Sequence, residues 1–246
     1  MRTLERAVLG CDYGGTSWTT KSQADRIPSV LGLAKDSHLL EIGAGSGWPG
    51  VYLATLTPCK ITLLDIPVSA LKHARQRAVE EKVANNCRAV AASGAALPFA
   101  QNTFRAISHS DVLCCLPEKV AMLIECRRVA KDGANMLFYV IAPESGLSDA
   151  DLDRACKVGP PFVAVADDYD ELLGESGWHL LEKSDLTGDY LEALKRLVCG
   201  LETGADQFEE VLGPEEFEEH LAHRRSQIGA IELGLLKREM FVARTN

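Results

Sequence analysis

Between residues 35 and 143 the chain alternates short apolar runs with stretches of helical periodicity, and this alternation constrains the fold more than any other feature. A strand whose chain must pass through a helix before the next strand pairs with it builds stacked βαβ units and a parallel sheet. Residues 38–42 (HLLEI) are the first expected strand, residues 43–47 a turn, and residues 48–56 a helix. Pro49 is tolerated there because the first helical turn has no internal use for its N–H. Residues 60–64 (KITLL) are the second strand, ending at Asp65. Pro67 then opens a helix with Val68, Leu71, Ala74 and Ala78 on one face and Lys72, Arg75 and Arg77 outward.

Residues 87–92 and 104–108 are weaker strands, and residues 120–130 a helix that Asp132 and Gly133 should terminate. The run at 135–141 (NMLFYVI) is continuously apolar, as a strand covered on both faces requires. Beyond it the pattern predicts a loop with one short helix over 142–161, a helix over 169–176, a strand over 178–184, mostly helix over 191–236, and a final edge strand at 240–243. Neither a repeat nor a low-complexity linker interrupts the chain. The expectation is one domain over 1–246: an α/β, doubly wound, mostly parallel sheet, with residues 1–34 as an N-terminal lid and residues 185–236 as a helical insertion between the last two strands.

Composition narrows the classes of function. With 246 residues, 46% hydrophobic and 25% charged, the chain has ample material for a core, so disorder and fibrous structure are excluded. A formal charge of -9 argues against a nucleic-acid or anionic-membrane binder, and the basic pair Arg224 and Arg225 is too small to reverse that. No run approaches the roughly 18 apolar residues of a membrane span, and the start, MRTLERAVLGCDYGG, lacks an apolar signal core, so the expected location is cytoplasmic. The eight cysteines, Cys11, Cys59, Cys87, Cys114, Cys115, Cys126, Cys156 and Cys199, form no C-x-x-C pair and read as reduced thiols. His220 and His223 stand in H-x-x-H spacing on a polar helix and read as a solvated face, so no metal site is expected.

The chemistry concentrates at Glu41-Ile42-Gly43-Ala44-Gly45-Ser46-Gly47, a G-x-G-x-G turn between strand and helix. Glycine suits a chain that turns sharply and lets a ligand lie against its backbone. Asp65 ends the next strand twenty-two residues after Gly43, about where an acid reaches ribose hydroxyls, so turn and acid together indicate an adenosine-containing ligand. A dinucleotide fingerprint G-x-G-x-x-G would place glycine at position 48, where Trp48 stands, followed by Pro49. Pyrophosphate docking at that helix end is therefore disfavoured.

The stretches LLEIGAGSGWPGVYLA, ITLLDIP, AASGAALPFAQNTFRAISHSDVLCCLPE and RRVAKDGANMLFYVI occur in order over residues 36–143. In them the chain resembles the class I S-adenosylmethionine-dependent methyltransferases, in particular the small-molecule branch with the ubiquinone and menaquinone C-methyltransferases. The resemblance implies S-adenosylmethionine as cofactor and S-adenosylhomocysteine as product. Gly43, Ala44 and Gly45 would then approach the methionine and ribose parts, Glu41 would place the amino group, Asp65 would accept from the ribose hydroxyls, and Ile66 would lie against adenine. Where relatives carry an Asp for the adenine amino group this chain has Ser93, followed by Gly94, so the contact should be weaker than a charged one. Leu113-Cys114-Cys115 stands where relatives often have Leu-His-His, and no function of those histidines transfers.

In such a sheet the crevice lies beyond the carboxyl ends of the strands, which nominates Ser110 for the cofactor and His109 and Asp111 as the nearest general bases. Methyl transfer from a sulfonium needs alignment and dryness more than a strong base. Tyr13 and Trp18, in the glycine- and hydroxyl-rich stretch before the first strand, would contact the methyl donor or the acceptor as part of a lid. The acidic run Glu202, Asp206, Glu209, Glu210, Glu215, Glu216, Glu218 and Glu219 reads as a solvated face or, with Asp167, Asp168 and Asp170, as steering for a cationic acceptor. The function expected is methyl transfer to a small molecule. The alternatives are an RNA or protein methyltransferase, for which Gly159-Pro160-Pro161-Phe162 lies too late in the chain, and a non-catalytic binder of the same cofactor.

Overall fold

The computed structural model describes residues 17–164 and 168–246, the side chains of 207 and 211 excepted. Seven strands lie in one sheet: β1 His38–Ile42, β2 Lys60–Asp65, β3 Cys87–Ala91, β4 Phe104–Ser110, β5 Ala130–Pro143, β6 His179–Asp185 and β7 Leu236–Arg244. Their spatial order is β3-β2-β1-β4-β5-β7-β6, with β7 antiparallel to both β5 and β6 and the rest parallel. The described helices are α1 Lys21–Leu31, α2 Gly50–Leu56, α3 Val68–Glu80, α4 Lys119–Val129, α5 Asp149–Val158, α6 Tyr169–Glu175, α7 Thr187–Thr203, α8 Ala205–Leu212 and α9 Pro214–Glu232. The last three lie in the chain between β6 and β7.

Side-chain alternation along the strands feeds two cores, one on each face. Leu39 of β1, Leu63 of β2 and Leu137 of β5 pack with Leu53 of α2, Leu71 of α3 and Ile27 of α1. Leu40, Ile42, Ile107 and Phe138 pack on the opposite face with Met122 and Leu123 of α4, Leu173 of α6 and Tyr190 of α7. A third, smaller core of Val198, Leu201, Phe208, Phe217 and Leu221 joins α7, α8 and α9. Phe208 and Phe217 stack there with ring centroids 6.2 Å apart. No described helix is long and apolar enough to cross a membrane.

Three expectations are corrected. The last strand is not a four-residue edge: β7 runs Leu236–Arg244 between β5 and β6, and β6 takes the edge. Lys237, Arg238 and Glu239 had masked its beginning, yet Arg238 is fully buried by partners elsewhere in the chain. Asp132 and Gly133 do not terminate a helix. Helix α4 ends at Val129, the chain passes straight into β5, and Gly133, at φ 70°, lies in an irregular stretch between the pairs Phe104–Ala130 and Ala106–Asn135. Helix α2 begins at Gly50, with Pro49 as its cap rather than inside it.

Candidate active site

Between β1 and β4 the strand order reverses, and the carboxyl ends of these two strands open the crevice where ligands of doubly wound sheets bind. Gly43, Gly45 and Gly47 have φ of 70°, 51° and 98°, a left-handed backbone that side chains resist. The turn is tied to the end of β2 twice: the Ala44 N–H donates to the Leu64 carbonyl (3.0 Å), and the Gly45 N–H donates to Asp65 Oδ2 (2.6 Å). Asp65 Oδ1 accepts from the Ile66 N–H (2.7 Å), and the Ile66 side chain is 69% exposed beside it. Thus the acid and the glycines named from sequence meet, with an apolar surface at their rim.

Glu41 lies beneath this turn. Its carboxyl, 2% exposed, accepts from the Gly50 N–H at the start of α2, and Oε2 has no hydrogen-bond partner. Burial pushes it up to about 8, against the pull of the Gly50 N–H, with Asp65 adding to the rise. The native state therefore keeps a proton that the unfolded chain releases above about 4.5, so stability falls as pH rises from there to about 8. The slope is at most about 1.4 kcal/mol per pH unit. Glu41→Gln is expected to flatten this fall. Urea unfolding of both proteins without cofactor at a series of pH values checks it, and parallel pH profiles would contradict it.

At the end of β4 the structure reveals a polar cluster anchored by Arg238, which the sequence reading missed. Asp111, at φ 55°, accepts from Arg238 Nε (3.0 Å) and Nη2 (2.9 Å). Arg238 is fully buried, lies over the Tyr139 ring (4.8 Å), and also donates to Gln23 Oε1 (3.2 Å) and Thr19 Oγ1 (3.4 Å). Burial works against its charge, but Asp111 outweighs that and raises its pKa. Thr19 Oγ1 donates to Ser110 Oγ (3.0 Å), and the Trp48 indole N–H donates to the Thr19 carbonyl (2.9 Å). Residues 19–23 are thereby stitched over the ends of β4 and β7. A signal for Arg238 did exist: it shares an i, i+2, i+4 face with Met240 and Val242, and a cation on an apolar stripe demands a partner.

The remaining named residues separate. His109 stacks on Phe138 (4.7 Å between centroids, 15° between planes) in the core; it is 1% exposed and neither ring nitrogen has a partner. Burial pulls it down to about 3, so the ring is neutral and a poor proton acceptor. Burial and stacking weigh against the base expected at His109. Asp111 stands at the crevice, but its carboxylate is committed to Arg238, which likewise weakens its expected role as a base. Ser93 is exposed and accepts from the Ala95 N–H (3.2 Å). Gly94 lies against Ile42 and Met122, where a Cβ would meet Met122 Sδ at 3.1 Å. Tyr13 and Asp167 lie outside the described residues.

The strand order, the glycine turn and its acid define the fold of the class I S-adenosylmethionine-dependent methyltransferases. Residues 40–138 match the family model described as a methyltransferase domain. The chain is 26% identical over 162 residues to 27-O-demethylrifamycin SV methyltransferase of Amycolatopsis mediterranei, covering 64% of this chain and 60% of that one. It is 32% identical over 107 residues to demethylmenaquinone methyltransferase of Lactiplantibacillus plantarum, covering 43% of this chain and 45% of that one. It thus spans less than two thirds of either relative. Phosphoethanolamine N-methyltransferase 2 of Haemonchus contortus, solved with S-adenosyl-L-methionine, superposes with a TM-score of 0.83 at 16% identity, over 99% of this chain and 56% of that one.

Proposed function

We propose that this protein transfers a methyl group from S-adenosylmethionine to a small-molecule acceptor by in-line displacement. The observation that carries the reading is the left-handed glycine turn hydrogen-bonded to Asp65 at the point where strand order reverses. The residues fit the cofactor: the turn exposes backbone where a Cβ would intrude, Asp65 has lone pairs for ribose hydroxyls, and Ile66 offers an apolar face to adenine. Glu41, with its unpartnered buried oxygen, would act on the amino group through the turn, and Ser93 and Gly94 would border the adenine. When bound, S-adenosylmethionine supplies the methyl: the acceptor's lone pair forms the new bond as the carbon–sulfur pair goes to sulfur, leaving S-adenosylhomocysteine, and any acceptor proton passes to solvent.

For the chain itself the work is alignment and exclusion of water. Ser110 and Asp111, held by Thr19 and Arg238, form a fixed floor, and residues 17–23 act as the described part of a lid. A neutral, stacked His109 supports a mechanism without a dedicated base. The net charge supports a small acceptor over a nucleic acid, and seven free cysteines among the described residues support a cytoplasmic setting.

Calorimetric titration of S-adenosylmethionine and S-adenosylhomocysteine, with NADH as control, tests the reading. Micromolar binding of the adenosyl ligands is expected, weakened in Asp65→Ala by about 1–3 kcal/mol for lost hydrogen bonds to a charged acceptor. Preference for NADH, or no binding, would overturn it.

A further inference from the structure

The cations of α7 and α9 differ in what they face. Lys195 pairs with Glu232 (2.8 Å) and Arg225 with Glu202 (2.7 Å), all on exposed surface. The acids Glu210, Glu215, Glu216, Glu218 and Glu219 are exposed too, so this run is a solvated face and draws nothing inward. Arg224, one residue before Arg225, turns the other way. Its guanidinium lies over the Trp18 ring (5.2 Å), and no carboxylate among the described residues pairs with it. Its hydrogen bond is from Nη1 to Gln227 Oε1 (2.9 Å), and Nε is buried without a partner. Gln227, 5% exposed, is itself held by donating to the Val158 carbonyl (3.0 Å), so it fixes the guanidinium's orientation without neutralising it.

A second unpartnered polar group meets the same indole. Tyr190 of α7, 1% exposed, sets its ring edge-on to Trp18 (5.2 Å between centroids, 67°), and its buried hydroxyl has no partner. Next in sequence to Trp18, Thr19 bonds Ser110 and Arg238 at the end of β4. Trp18 therefore links the crevice floor to a half-buried guanidinium and a buried hydroxyl contributed by the helices between β6 and β7. A half-buried guanidinium whose Nε is withdrawn from water without a partner, beside a buried unpartnered hydroxyl, is unfavourable alone and favourable around an anion.

Resting on the methyltransferase reading, we propose that Arg224 and Tyr190 hold an anionic group of the methyl acceptor, a carboxylate or a phosphate, against the indole of Trp18. The acceptor is thus an organic acid or phosphate ester, not the cation that the acidic run invites.

The test uses full-length protein saturated with S-adenosylhomocysteine, titrated at constant ionic strength with inorganic phosphate or with malonate. Tryptophan fluorescence is the readout, and Trp18→Phe identifies the signal. Saturable binding of one anion is expected, the two arms separating phosphate from carboxylate. Arg224→Gln should weaken it about tenfold or more and Tyr190→Phe by a smaller factor, while Arg225→Gln leaves it unchanged. S-adenosylhomocysteine affinity, measured first in the Arg224, Tyr190 and Arg225 variants, should not move, which shows that each is folded. Failure of both anions to saturate, or wild-type binding by Arg224→Gln with cofactor affinity intact, would overturn the proposal and leave the methyltransferase reading standing. Failure of the wild type to bind S-adenosylhomocysteine would overturn both.

Discussion

Arg238→Met is expected to destabilise the fold by about 3–5 kcal/mol, because it strands the Asp111 carboxylate in a site built around a fully buried guanidinium. Asp111 has a left-handed backbone, φ 55°, which asparagine also tolerates, so Asp111→Asn can remove the partner charge without straining the turn. The double variant Arg238→Met with Asp111→Asn should recover more than half of the loss, since a neutral amide beside an apolar chain leaves no unpaired charge. Urea unfolding of the four proteins measures the cycle. The same substitution releases Thr19 and Gln23, so amide exchange over 19–31 should quicken even at urea concentrations where the sheet is intact. A loss below about 1 kcal/mol with unchanged exchange would show that the ion pair does not anchor this segment.

How far this architecture could be read beforehand depended on where each residue's partners lie in the chain. Strands buried on both faces write themselves as apolar runs, so HLLEI, KITLL and NMLFYVI found β1, β2 and the body of β5. The glycine turn and Asp65 were legible for a local reason: backbone needing positive φ, followed by an acid at the end of the next strand, has few other uses. Arg238 was legible only as a cation on an apolar stripe; its partner was not, since Asp111 lies 127 residues away. Nor was the setting of His109, because strand alternation says that it faces one side but not that Phe138 and a closed core wait there. The split between Arg224 and Arg225 is a matter of helical phase. Neighbours in sequence point about 100° apart, and only the packing of α9 on α7 and α5 decides which looks inward.

Gly50 carries the other large effect, and its sequence context, just after a proline at a helix start, disguises it. Its N–H donates to the buried carboxyl of Glu41, while the place a Cβ would occupy is already filled by Glu41 Oε2 and lies 2.5 Å from Leu63 Cδ2. Leu63 is 1% exposed on β2, so neither neighbour can swing into solvent without opening the core beneath the turn. Gly50→Ala should therefore cost about 3 kcal/mol of stability, at the upper end for an overpacked core, even though alanine is the better helix former. Because α2 and the glycine turn rest on that carboxyl, the displacement should carry to the Gly45–Asp65 bond, with binding of S-adenosylhomocysteine falling at least about tenfold. The cause can be isolated with Glu41→Ala, which empties the space the new methyl needs. If crowding against the carboxyl is responsible, Gly50→Ala should be much less harmful in the Glu41→Ala background, with a coupling of about 1–2 kcal/mol. Additive losses would instead assign the damage to Leu63 and to the helix start itself.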